Sequence, residues 1–107
     1  MSDFHIRVGY LLPELEVTLY HDRDVADLTN ATGVELRYRL KSGGAVTVKN
    51  AAFVGARTGG KVKYAWVTGD TDTVAVYEAN WRVTYQGGKT ENFPSDEFFT
   101  IKVAADL

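Results

Sequence analysis

Residues 69–89 read GDTDTVAVYEANWRVTYQGGK, and a single period runs through their second half. Tyr77, Ala79, Trp81, Val83 and Tyr85 alternate with Glu78, Asn80, Arg82 and Thr84. Successive side chains of an extended chain point to opposite faces, so this is a strand with one apolar face and one wet face. Gly87-Gly88 follows at once, and glycine accepts the positive φ of a tight turn, which predicts a hairpin between Tyr85 and Thr90.

The same period recurs outward in both directions. Phe4, Ile6 and Val8 alternate with His5 and Arg7; Leu15, Val17 and Leu19 alternate with Glu16 and Thr18. Val34, Leu36, Tyr38 and Leu40 alternate with Glu35, Arg37 and Arg39, and Val62, Tyr64 and Trp66 form a further set. Phe99, Ile101 and Val103 close the series, and a weaker strand is expected over Val46 to Phe53. Breakers separate them at Ser42-Gly43-Gly44, Gly59-Gly60 and Gly69-Asp70. Only Asp22 to Thr32 has room for a short helical turn. Seven or so short strands with turns about every 8–12 residues predict an all-β sandwich.

The chain has 107 residues, read as one domain over 1–107. A domain of this size buries about two-thirds of its unfolded surface, enough for a core without metal or disulfide staples. Two prolines and no biased tract argue against disorder. The net charge of -2 and the scattered basic residues provide no patch for nucleic acid. With no cysteine, disulfides, thiolate metal sites and cysteine nucleophiles are excluded. The opening MSDFHIRVGYLL has neither a basic leader region nor an apolar run of membrane-spanning length, so no membrane partner is expected.

Motifs for chemistry are weak. Gly55-Ala56-Arg57-Thr58-Gly59-Gly60-Lys61 has the spacing of a phosphate loop, but Val62 stands where magnesium needs a hydroxyl. A strand is expected after it, where phosphate binding needs a helix N-terminus. Asp22, Asp24 and Asp27, and Asp70 and Asp72, lack the ligand spacing of a calcium loop and read as turn formers. His5 and His21 are the only histidines, and nothing marks a nucleophile for either. No catalytic residue, metal site or cofactor is assigned, and the chain is read as a non-enzyme. Six tyrosines and two tryptophans raise an alternative, a carbohydrate-binding module that aids adhesion to bacterial surface glycans. Most of them fall on the apolar faces of their strands.

Asp72-Thr73-Val74-Ala75-Val76-Tyr77-Glu78-Ala79 resembles the approach to the second disulfide cysteine of antibody variable domains, with Ala79 in place of that cysteine. The resemblance implies an immunoglobulin-like sandwich of about seven to eight antiparallel strands. It also makes Tyr77 the tyrosine whose hydroxyl pins the corner between sheets. Without a disulfide, Trp66 and Trp81 are the aromatic residues expected to fill the centre.

The chain as a whole, over roughly residues 4 to 103, resembles the N-terminal domains of phage baseplate upper proteins. The similarity is carried by Phe4-His5-Ile6, Leu12-Pro13-Glu14-Leu15, Asp27-Leu28-Thr29-Asn30-Ala31-Thr32-Gly33-Val34 and Lys41-Ser42-Gly43-Gly44. Trp66 with Gly69-Asp70-Thr71-Asp72-Thr73, then Tyr77, Trp81, Gly88-Lys89 and Phe93-Pro94, complete it. Asn30 departs from that pattern by replacing a glycine, and Asn tolerates left-handed backbone. The resemblance implies a virion structural protein, made in the host cytoplasm, that docks other virion proteins or further copies of itself in a tail, baseplate or head. Open strand edges are natural docking points. The first strand, carrying His5 and Arg7, and the last, Phe99 to Val103, are expected at the edges. Phe98, next to the inward Phe99, is expected to point out as a partner anchor.

Overall fold

The computed structural model describes residues 3–95 and 97–106. Its strands in chain order are β1 (Asp3–Arg7), β2 (Leu15–Thr18), β3 (Tyr20–His21), β4 (Asp24–Val25), β5 (Ala31–Leu40) and β6 (Thr47–Asn50). They continue as β7 (Ala52–Phe53), β8 (Lys61–Tyr64), β9 (Ala75–Tyr85), β10 (Thr90–Phe93) and β11 (Phe99–Ala104). A short 3-10 turn at Arg57–Gly59 lies in the loop with phosphate-loop spacing, and strand β8 follows it. The Asp22 to Thr32 segment forms no helix; it carries β4 and the start of β5.

The larger sheet has the order β1-β11-β9-β5-β6, with β10 also on β9; the smaller has the order β2-β8-β7. Hairpin β3-β4 stands apart from both. Leu36, Trp81, Val83 and Ile101 from the large sheet and Leu15, Val62 and Tyr64 from the small one belong to one buried cluster. The molecule is therefore an all-β sandwich, and the apolar faces read from the alternation are the inner faces of its two sheets.

β9 is the backbone of the structure. It pairs with β5 from Tyr77 to Tyr85 on one side. On the other side β11 covers its first half and β10 its second half. The hairpin at Gly87-Gly88 joins β9 to β10, both glycines having positive φ. Between Phe93, opposite Trp81, and Phe99, opposite Ala79, the last strands advance six residues while β9 advances two. The chain leaves the sheet there, beside Asn80.

Three expectations are corrected by this topology. The strands are not all antiparallel: β1 runs parallel to β11, pairing Asp3 with Thr100 through Arg7 with Ala104. Alternation assigns a side chain to a face and is silent about the direction of the neighbouring strand. Nor is the last strand an edge, because β1 covers β11 on its outer side. The segment Val46 to Phe53 is two strands in different sheets: β6 pairs β5, then the chain crosses, and β7 pairs β8. Ala51 makes the crossing, its N–H still bonded to Val34 O at 3.0 Å.

Gly60 is the one glycine whose side of the backbone is crowded. It sits at φ 66°, and a Cβ there would lie 2.8 Å from the Ala26 carbonyl and 2.9 Å from the Val25 side chain. Its carbonyl accepts the Leu19 N–H at 2.8 Å, so the loop before β8 is tied to the end of β2.

Candidate interaction surfaces

Three places bring functional-type residues together: the outer face of the large sheet, the flank where the chain crosses between sheets, and the opposite flank. The register builds the first. Opposite one another on β5 and β9 stand Glu35 and Arg82, Arg37 and Asn80, and Arg39 and Glu78, each half-buried on the face turned away from the core. Arg39 Nε donates to Glu78 Oε1 at 2.6 Å, and its guanidinium lies 5.5 Å from the centre of the Phe98 ring. A hollow of about 160 Å³ opens among Arg37, Arg39, Val46, Glu78, Asn80 and Phe98. Phe98 is 45% exposed, and Val46, Val48 and Val76 are exposed as well. Arg37 Nε and Asn80 Oδ1 are buried without a hydrogen-bond partner among the described residues. Unpaired buried polar atoms are costly, and a sheet face that keeps them beside exposed apolar side chains has the make-up of a docking surface.

The crossing flank is held by Asp70. Its side chain is only 5% exposed. The Tyr64 hydroxyl and the Val67 N–H donate to Oδ2, the latter at 3.0 Å, while Lys49 Nζ lies 3.1 Å from Oδ1. Burial pushes the Asp70 carboxyl up, but the hydrogen bonds from Tyr64, Val67 and Lys49 outweigh it and hold the group below its ordinary range. Tyr64 is pushed up, first by burial and then by its bond to Asp70. Burial, with the nearby Asp70 charge, pushes Tyr38 up to about 12.

This arrangement corrects the role expected of Tyr77. Tyr77 lies inside β9, flanked by Leu40 on one side and Ile101 on the other. Its ring packs edge-on against Tyr38 with centroids 5.2 Å apart. Its hydroxyl makes no hydrogen bond among the described residues. The tyrosine whose hydroxyl ties loop to strand is Tyr64, because Asp70 sits at the turn where Tyr64 can reach it. Trp66 and Trp81 are both core residues. Trp66 stacks on Phe4 at 5.8 Å and meets Tyr64 edge-on at 5.2 Å. Trp81, 1% exposed, stacks on Phe99 at 6.2 Å.

On the opposite flank β1 and β2 face each other across a cleft of about 600 Å³. His5 and Arg7 project from β1 into solvent, and an Arg7 guanidinium nitrogen donates to Ala105 O at 2.8 Å. The exposed His21 bonds Glu91 at 2.6 Å, and Glu91 also accepts from the Tyr85 hydroxyl at 3.0 Å. Burial, then the bond to Glu91, pushes Tyr85 up to about 12. Among the described residues no three His, Asp or Glu side chains gather into a metal-holding group. Comparison of the chain with models of known families and with the sequences of curated proteins finds no match to either.

Proposed function

We propose that this chain is a non-enzymatic assembly module, an immunoglobulin-like structural protein of a bacteriophage virion that docks partner proteins in a tail, baseplate or head. The observation that carries the assembly reading is the Phe98 hollow. An exposed aromatic ring stands beside an arginine-glutamate pair, over two buried polar atoms that have no partner among the described residues. Aromatic and arginine side chains on a surface of this kind are the usual anchors of protein interfaces. The strand order supports the immunoglobulin-like assignment, in which β5 and β9 are the paired central strands of the larger sheet. The virion assignment rests on the sequence resemblance over residues 4 to 103.

Two measurements test it. A mass-spectrometric inventory of purified particles is expected to contain the chain, and its absence from every particle would remove the virion reading. Phe98→Ser is expected to leave the fold intact and weaken incorporation. The glycan-binding alternative draws on Tyr20, which is 53% exposed. Saturable fluorescence quenching by cell-wall polysaccharides, abolished by Tyr20→Ala, would replace docking with adhesion.

A further inference from the structure

The open flank has a structure of its own, distinct from the Phe98 hollow. β2 is the edge strand of the small sheet, paired with β8 on one side and with no described strand on the other. The ladder tells which of its backbone groups are free. Leu19, one step beyond the Thr18–Lys61 pair, donates its N–H to Gly60 O at 2.8 Å. Hydrogen-bonded and non-bonded pairs alternate along an antiparallel ladder. Leu15 and Val17 therefore aim their N–H and C=O groups at β8, as Leu19 does its N–H, while the Leu19 carbonyl accepts the Ala26 N–H at 2.9 Å. Glu16 and Thr18 aim their N–H and C=O groups at the open side.

Those open groups border the cleft of about 600 Å³ between the sheets. Its floor and walls are apolar: Phe4 from β1, Leu15 and Val17 from β2, and Trp81, Phe93 and Phe99 from the large sheet. Among the described residues the only charged side chains on its lining are Asp3 and Glu16, both acidic. An edge strand with unpaired N–H and C=O groups is a template for another strand. Here the template runs along an apolar cleft of about 600 Å³ whose charged lining, among the described residues, is acidic.

We propose that the β2 edge accepts an extended segment of a partner protein, in which apolar side chains alternate with Lys or Arg. Its backbone pairs with Glu16 and Thr18, its apolar side chains enter the cleft between the sheets, and its basic side chains face Asp3 and Glu16. This is recognition by strand addition: backbone hydrogen bonds hold the segment, and alternate side chains select it. A free sheet edge alone would accept many segments; the cleft and its charge restrict the choice. The site stands or falls apart from the Phe98 surface.

The probe is a blocked heptapeptide, Lys-Val-Lys-Ile-Lys-Val-Lys, titrated into the isotope-labelled protein and followed by amide NMR. Saturable shifts centred on Glu16, Thr18 and Phe4 are expected, with new hydrogen-exchange protection at the Glu16 and Thr18 amides. The same peptide N-methylated at its five internal residues keeps its side chains and charges but cannot donate from those positions in either strand direction. It is expected to bind about tenfold weaker or less. Glu16→Lys, a change at an exposed side chain, is expected to weaken the unmodified peptide by a similar factor, and added salt to reduce the difference. Equal binding of the methylated peptide overturns strand addition, as does the absence of saturable binding. Shifts confined to Phe98 and Arg39 also overturn it, and leave the docking face as the interaction surface.

Discussion

The two flanks of this sandwich are built on opposite plans. On one, the chain passes from β6 to β7 through Ala51, and the sheets are laced together by Asp70, which takes bonds from Tyr64, Val67 and Lys49. On the other, β1 and β2 are sheet edges separated by an apolar cleft. The core between them is shared, so the difference lies in what ties the two sheets at each side. The closed flank is tied by the continuous chain at Ala51 and by the bonds to Asp70; the open one has a cleft bordered by the Glu16 and Thr18 backbone. A small domain can leave one side open because its stability comes from the central layer around Trp81.

Trp81→Ala is the largest expected perturbation, because it empties the middle and affects both flanks. It should cost about 3–5 kcal/mol, read as the loss in a chemical denaturation series. An unchanged transition would place the ring outside the core. Gly60→Ala comes next. A left-handed φ and a close approach to the Ala26 carbonyl together should cost about 2–4 kcal/mol. Because Gly60 O anchors Leu19, this variant should also loosen the end of β2, visible as faster amide exchange at Leu19.

Asp70→Asn separates the flanks. Removing the charge that Tyr64 and Lys49 hold should cost about 1.5–3 kcal/mol, with amide shifts at Val67 and Lys49 and none at β2. Shifts spread evenly over both flanks would mean that they are not independent. The titration of Asp70 has a definite sign. Its folded carboxyl is held below the ordinary range, so its contribution is present at neutral pH and is lost as pH falls through the depressed folded value. The tyrosines behave in the opposite sense. Tyr38 and Tyr85 are raised from 10.0 to about 12, so what they contribute is intact below pH 10 and is lost as pH rises through 12. Melting curves across both limits should show a fall at each end, and Asp70→Asn should flatten the acid limb.

Phe98→Ser is the smallest expected effect on folding, below about 1 kcal/mol, since only a surface ring over Arg39 is lost. A strong fall in melting temperature would assign Phe98 to the core.

How much of this was legible in the sequence follows from what alternation encodes. The strands around Trp81, Leu36 and Ile101 were readable because a period of two names the buried face wherever one face is wet. Sheet order was not. Nothing local in Phe99 to Val103 says that β1 will lie beside it in parallel, and so an interior strand read as an edge. The break at Ala51 was hidden because a strand that changes sheets keeps its extended backbone through the crossing. Tyr77 was given the corner on the strength of its spacing to Ala79, whereas reach decides the matter. Asp70, three residues after Val67, can accept its N–H and meet the Tyr64 hydroxyl at once. The turn residues Gly69-Asp70 were visible, but a partner six residues back, across the turn, was not. Arg37 and Asn80 become neighbours only through the β5–β9 register, which single-sequence patterning does not supply.

Amide hydrogen exchange along β2 tests the open flank most directly. Leu15, Val17 and Leu19 face β8, and Glu16 and Thr18 face the cleft side. In the free protein the Val17 and Leu19 amides should be protected close to the level of global unfolding, while those of Glu16 and Thr18 exchange at rates near those of an unstructured chain. Equal protection at all four amides would show that the edge is already covered and would contradict the account.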